Sequence, residues 1–298
     1  MSVFSLRINT LRTPLGKVKI YKFGEGVKEI LIVSGMHGNE HNSIATVRRL
    51  IGHLRGLRDD FFEGKITIIP TANPNAFKYK QRVSVVDGLD LNRVFPGDLE
   101  RFATHRHAAK LWEIAQTMDY IVDIHTCSYC EPYILTLYKD YPSVKELIEN
   151  LPPENIVESS GLSGQLFIEA LKVGIKATII ELPQDGLKLN SRLISRMSKD
   201  LLQSLINMRI IRGKKKKFNH GYFNPLVKQH ADRPGLFVLG AKLGGFVNKG
   251  DIIGRIGRTI IRAKIGGKMI SITPRMFVVT GEMLSSIAEP YNIIAKKG

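Results

Sequence analysis

The sequence is poor in cysteine, in long apolar runs, in tryptophan and in acidic side chains. Two cysteines in 298 residues, Cys127 and Cys130, exclude a disulfide scaffold. No apolar stretch approaches the roughly 18 residues that cross a bilayer, so no membrane partner is expected. The first residues carry Arg7 and Arg12 but no apolar block ahead of a cleavage site, so no signal peptide is expected and the compartment expected is the cytoplasm. The single tryptophan, Trp112, reads as core. Only 27 acidic residues face 44 basic ones, a net charge of +17. Such a field concentrates anions, either acidic metabolites or nucleic acid. The basic residues are dispersed, however, and only Lys214 to Lys217 form a run. No nucleic-acid motif and little aromatic interleaving accompany that run, so it reads as a solvated linker and nucleic acid is not an expected partner.

What is present is ordinary for a globular chain, 43% hydrophobic and 24% charged. The length suffices for one large domain or two smaller ones. As far as Arg212 the text alternates. Strand patterns at Val18–Phe23, Glu29–Ser34, Lys65–Pro70, Tyr120–Ile124, Tyr133–Tyr138, Ile156–Glu158 and Ala177–Glu181 are separated by helical ones. The helical patterns are Asn42–Leu54, Leu99–Thr117, Val144–Asn150, Gly164–Lys172 and Ser191–Ile211. This alternation predicts an α/β domain, residues 1–212, with a sheet flanked by helices. Thr71–Gly97 has no clear period, and a loop that long is usually functional or disordered. Beyond Gly213 the chain is glycine-rich with short strand patterns, which predicts a small all-β domain over 213–298.

Two motifs sit where a buried strand meets a loop. His37-Gly38-Asn39-Glu40 follows the apolar run Ile30–Val33, and Asp123-Ile124-His125-Thr126 closes Tyr120–Ile124. Two His and one Glu match the three protein ligands of a catalytic zinc, His37, Glu40 and His125, with a fourth position open. A helix starting at Glu40 would favour its negative charge. Cys127 and Cys130 have C-x-x-C spacing just after His125; they read most simply as spare loop thiols, with a redox pair or extra ligands as the alternative. His41, His53, His105 and His107 read as surface, capping or helix positions.

An ordered series of motifs carries a resemblance. Gly35–Glu40, Asn73-Pro74-Asn75-Ala76-Phe77, Asp87–Gly97, Asp123–Thr126 and Thr178–Leu182 together resemble the succinylglutamate desuccinylase/aspartoacylase family, relatives of the zinc carboxypeptidases. The β-rich C-terminal part fits the family's second, barrel-sandwich-like domain, so the likeness covers nearly the whole chain. The resemblance implies a zinc-carboxypeptidase-like mixed sheet and one zinc ion per chain on His37, Glu40 and His125. It implies that Glu181 is the general base, that Arg82 stabilises the oxyanion, and that Asn92 and Arg93 grip a substrate carboxylate. Asp90 is the expected acceptor of the free ring N–H of His37, with Asp123 a second candidate. Tyr222 or Tyr291 could reach the site.

The expected function is a zinc-dependent deacylase that cleaves the amide of a small N-acyl amino acid or similar carboxylate. The rival readings are a zinc carboxypeptidase acting on peptides and a basic zinc-containing binding protein. The acyl group, the amino acid and the oligomeric state are left open.

Overall fold

The structure, a computed structural model, describes residues 6–291. Its strands up to the lysine run are β1 (Arg7–Thr13), β2 (Gly16–Phe23), β3 (Glu29–Ser34), β4 (Lys65–Ile69), β5 (Tyr120–Ser128), β6 (Tyr133–Thr136), β7 (Asn155–Glu158) and β8 (Lys176–Gln184). Together with β9 (Gly221–Phe223) they form one nine-stranded sheet in the order β1-β2-β4-β3-β5-β8-β6-β7-β9. The central strands β4, β3, β5 and β8 are parallel, whereas the β1–β2 hairpin joins β4 antiparallel and β6 runs against β8. Apart from Glu29, all of β3 is buried, as are the first six residues of β5. That burial explains their near-continuous apolar text, since a parallel strand covered on both faces has no wet side to alternate with.

The helices are α1 (His41–Arg55), α2 (Pro74–Tyr79), α3 (Ala103–Ala115), α4 (Lys145–Ile148), α5 (Leu166–Lys172) and α6 (Ser191–Asn207). One register decides where the site lies. Val33 stands beside Asp123, Ser34 beside Ile124, and His125 beside Glu181, so the C-terminal ends of β3, β5 and β8 meet at one edge. That edge is where ligands bind in open α/β sheets.

Several elements differ from the sequence expectation for local reasons. The helix predicted from Leu99 begins at Ala103, because Asp98 closes an Asx turn on the Glu100 N–H at 2.8 Å and Asp87 accepts the Thr104 N–H at 2.8 Å in place of a local cap. Strand β1 was invisible because it is an edge strand with mostly exposed polar residues. The aperiodic stretch 71–97 contains α2 and a single helical turn, Leu91–Arg93.

After β9 the chain forms two antiparallel sheets. β10 (Val227–His230), β17 (Met283–Ala288), β15 (Gly267–Ile272) and β12 (Phe246–Val247) make one; β14 (Thr259–Arg262), β13 (Ile252–Ile256), β11 (Gly235–Leu239) and β16 (Met276–Val278) make the other. Their inner faces share one core, Phe237, Ile253 and Val278 meeting Met269, Leu284 and Ile287, which makes the unit a small all-β sandwich. It docks on the turn that follows β5: Glu131 N–H donates to Ile270 O at 2.8 Å and Ile272 N–H to Tyr129 O at 3.2 Å.

His107 locks α3 to the sheet. Fully buried, it bonds Ala72 O through Nε2 and Thr13 Oγ1 through Nδ1, both at 2.7 Å. Burial, only partly offset by the Ala72 bond, lowers its pKa to about 4. A depressed histidine stays neutral in the folded state while the unfolded state takes up a proton near pH 6.5. Stability therefore falls as the pH drops from about 6.5 toward 4, by up to roughly 3 kcal/mol from this residue. Chemical denaturation of His107→Gln at pH 7.5 and pH 4.5 checks this: the variant's loss relative to wild type is expected to shrink at the lower pH.

Candidate metal centre and active site

The site begins with the turn after β3. Gly38 is required there because a Cβ would lie 1.9 Å from the Ala76 carbonyl carbon; its absence lets α2 pack directly on the turn, with Gly38 N–H donating to Gln81 O at 2.8 Å. Glu40 takes the N-cap position of α1, yet its side chain caps nothing. The carboxylate turns instead between two imidazoles. His37 Nδ1 lies 2.6 Å from Glu40 Oε1, and His125 Nδ1 lies 3.3 Å from Oε1 and 3.1 Å from Oε2. The Oε2 contact is off the line of the N–H, so that enclosed oxygen accepts no hydrogen bond.

Each ring presents Nδ1 to Glu40 and Nε2 to an aspartate. His37 Nε2 is 3.0 Å from Asp90 Oδ1, and His125 Nε2 is 2.8 Å from Asp123 Oδ2. Asp90 and Asp123 thus serve one ring each, so the two candidates for a single role both have one. Arg82 donates to Asp90 Oδ2 at 2.9 Å while half its side chain stays exposed. The result is a continuous chain of charge, Arg82–Asp90–His37–Glu40–His125–Asp123.

The electrostatics follow from this alternation. Burial opposes the charge on Glu40, but His125 and His37 outweigh it and bring its pKa down to about 2. Burial also opposes the imidazolium of His37 and of His125, and the carboxylates around each ring outweigh that cost and raise the pKa. Asp90 is likewise lowered against burial by His37, Arg82 and Arg93. Three donors, His37, Glu40 and His125, are all buried, with one ligand atom apiece lying within 4.8 Å of the others. Two aspartate-anchored imidazoles and one carboxylate with an unsatisfied oxygen suit a divalent cation, whose charge would replace the ring protons. The donor set fits zinc.

Glu181 stands beside His125 across the β5–β8 pair. Part of the residue reaches the surface, but Oε2 is enclosed with no hydrogen-bond partner. Burial, reinforced by the Glu40 charge and only partly countered by His125 and His37, pushes its pKa up to about 7. Asn92 is buried, and Leu166 N–H donates to its Oδ1 at 2.9 Å. Its Nδ2 lies 3.2 Å from His125 Nε2; when that nitrogen carries the proton given to Asp123, the amide hydrogens of Asn92 have no lone pair there to meet. Arg93 is exposed, with Nη1 donating to Asn92 O at 2.7 Å. Gly164, at φ +82°, allows the loop before α5 to cross Arg93, where a Cβ would sit 2.1 Å from its carbonyl oxygen.

Some features were not readable in the sequence. Gln184 at the end of β8 donates to Asn39 O at 2.6 Å and accepts from Asn42 N–H at 3.0 Å, tying the strand that bears Glu181 to the turn that bears His37 and Glu40. Buried Tyr133 faces Glu181 across β6. Tyr222 and Tyr291 do not serve the site: both rings pack on Tyr138, and Tyr222, on β9, bonds Glu149 at 2.9 Å, three strands to the side of Glu181. Cys127 and Cys130 are free thiols. Cys130 is buried among Tyr133, Val157, Phe223, Ile270 and Ala288 at the seam with the sandwich, and the Cys127 side chain and burial hold its thiol well above the ordinary range.

Residues 26–207, more than half of the chain, match the succinylglutamate desuccinylase/aspartoacylase catalytic domain, and His37, Glu40, Arg82, Asp90, Asn92, Arg93, Asp123, His125 and Glu181 all fall within that range. The chain belongs to this family. A segment of 110 residues is 33% identical to N-alpha-acetyl-L-2,4-diaminobutyric acid deacetylase of Halomonas elongata, covering 37% of this chain and 31% of that protein. The family protein of Rhodobacter sphaeroides has the same fold, with a TM-score of 0.84 over 97% of both chains at 22% identity. The product-bound ectoine utilization protein EutE (DoeB) of Ruegeria pomeroyi aligns with a TM-score of 0.81 at 20% identity, over 97% of this chain and 96% of that one. The family's mixed sheet with flanking helices and a small all-β unit is the architecture observed here.

The aspartates anchor the rings, and loss of such a partner typically costs 10- to 100-fold in metal affinity. Asp123→Ala and Asp90→Ala are each expected to weaken zinc binding by about that factor, measured by competition with a chromophoric chelator.

Proposed function

We propose that this chain is a zinc-dependent deacylase that hydrolyses the amide bond of a small N-acyl amino acid or similar carboxylate-bearing substrate, with one zinc ion per chain. The observation that carries this reading is Glu181, whose Oε2 is enclosed without a hydrogen-bond partner, beside a convergent His–Glu–His donor set. A zinc ion on His37, Glu40 and His125 would supply a Lewis acid that acidifies water and polarises a carbonyl. Glu181, whose proton affinity burial raises, takes a proton from the attacking water and returns it to the departing amine. Arg82, oriented by Asp90, offers its exposed remainder to the oxyanion. Arg93 presents a planar fork to the substrate carboxylate, and the Asn92 amide hydrogens add to that grip.

All of these groups lie in residues 1–212, the proposed catalytic domain, and the β-rich 213–298 forms the second domain, whose first strand, β9, returns to the edge of the main sheet. The deacetylase named for N-alpha-acetyl-L-2,4-diaminobutyric acid supports a small N-acyl amino acid as substrate class. The cytoplasm fits a chain with two cysteines and no described helix long and apolar enough to cross a membrane.

The test is hydrolysis of a panel of N-acetyl and N-succinyl amino acids and short peptides by the zinc-loaded protein, followed by mass spectrometry. Release of a free amino acid is expected from one acyl class, with Glu181→Gln lowering kcat about 10²- to 10⁴-fold. Turnover within tenfold of wild type would remove Glu181 from its role, and a preference for longer peptides would favour the carboxypeptidase reading. In the same assay Arg93→Lys, which keeps the charge but loses the fork, is expected to raise KM more than it lowers kcat.

A further inference from the structure

A second cleft lies between α1 and the β1–β2 hairpin, with a volume of about 460 Å³. None of the residues assigned to the metal centre lines it. Four cations do: Lys17 and Lys19 from β2, Arg48 and Arg55 from α1. No carboxylate is among its lining residues, and none of the four cations has an ion-pair partner among the described residues. Lys17 pairs in register with Arg12 of β1, which adds a fifth cation on the same strand face at the rim. Elsewhere on this surface lysines and arginines do find acids, as Lys65 finds Glu29 and Arg7 finds Glu25. A walled cleft of one charge sign focuses the field and gathers counter-ions.

The two arginines are held without consuming their donors. The Arg48 guanidinium lies 5.1 Å over the Phe77 ring and that of Arg55 lies 5.5 Å over Tyr21. Stacking uses the face of the guanidinium and leaves most of its N–H edge free; among the described residues only one Arg48 N–H of these edges is engaged, with Thr71 Oγ1 at 3.3 Å. Gly52 on α1 opens the cleft further, since a Cβ built there would meet nothing within 4 Å. The volume falls within the range of small-ligand sites.

We propose that this cleft is a binding site for a small, multiply charged phosphate anion, of the nucleoside-polyphosphate or inorganic-polyphosphate type, separate from the metal centre. Phosphate oxygens meet Lys17, Lys19 and the free guanidinium edges of Arg48 and Arg55, each bond being charge-assisted. The reading is independent of the reaction assigned to the metal centre.

Isothermal titration of the whole protein with tripolyphosphate and with ATP tests it. Saturable binding is expected, weakened at least tenfold in Lys19→Glu/Arg48→Glu and weakened also in Gly52→Leu, which fills the cleft and keeps every charge. Lys214→Glu/Lys215→Glu removes the same net charge from the linker and is expected to bind within twofold of wild type. Equal affinity for the two anions assigns the site to phosphates alone, and tighter ATP binding assigns it to a nucleotide. Either unchanged binding in both cleft variants or an equal loss in the linker variant would overturn the proposal, the latter because net charge alone would then explain binding. An RNA oligonucleotide that binds at the cleft and is not displaced by tripolyphosphate would overturn it in favour of a nucleic-acid surface. Thermal midpoints establish folding; should the double reversal fail to fold, Gly52→Leu decides.

Discussion

A buried carboxylate between two imidazoles is the interaction on which the rest of the site depends. Glu40 is 4% exposed and touches both His37 and His125, and an ionised acid at that depth persists only when paired. The pairing propagates outward, because each ring hands its other nitrogen to an aspartate and Arg82 closes the series at the surface. The same demand for positive charge around Glu40 makes the group a natural cation site. Glu181 feels the opposite pressure. Burial and the Glu40 charge leave it easier to protonate than an ordinary carboxyl, so the two glutamates acquire different chemistry from their surroundings.

The scaffold holds this arrangement through backbone rather than through long side chains. Strands β3, β5 and β8 place the His37–Glu40 turn, His125 and Glu181 by parallel register, and Gln184 ties the end of β8 back to that turn. Asn92 receives the first N–H of α5 and so fixes its own amide beside His125. The β-sandwich bonds the Tyr129–Glu131 turn just beyond His125, bracing the strand that carries this histidine.

The charge excess, dispersed in the sequence, has an organised component in space. Lys17 and Lys19 are about thirty residues from Arg48 in sequence, and nothing in the local text joins them. The antiparallel placement of β2 beside β4 and the packing of α1 over the sheet bring them to one cleft. The lysine run, by contrast, is visible in the sequence and has its backbone bonded to α6, with Gln203 donating to Lys214 O at 3.0 Å and Asn207 to Lys216 O at 2.7 Å.

By itself the sequence determined the class of fold, the order of most elements and the three side chains that converge as a candidate metal set, because these are local properties. Apolar runs mark the buried strands, and His37, Glu40 and His125 sit next to such runs. It could not disclose the exposed strand β1, whose polar text has no burial to record, nor the late start of α3, whose cap comes from Asp87 in a distant loop. Only the tertiary structure decided which aspartate serves which ring, that Tyr222 and Tyr291 pack on Tyr138 instead of the site, and that Tyr133 and Gln184 belong beside Glu181. The physical reason is that hydrogen bonds and strand register join residues far apart in the chain, and the pattern around any one of them holds no trace of its partner.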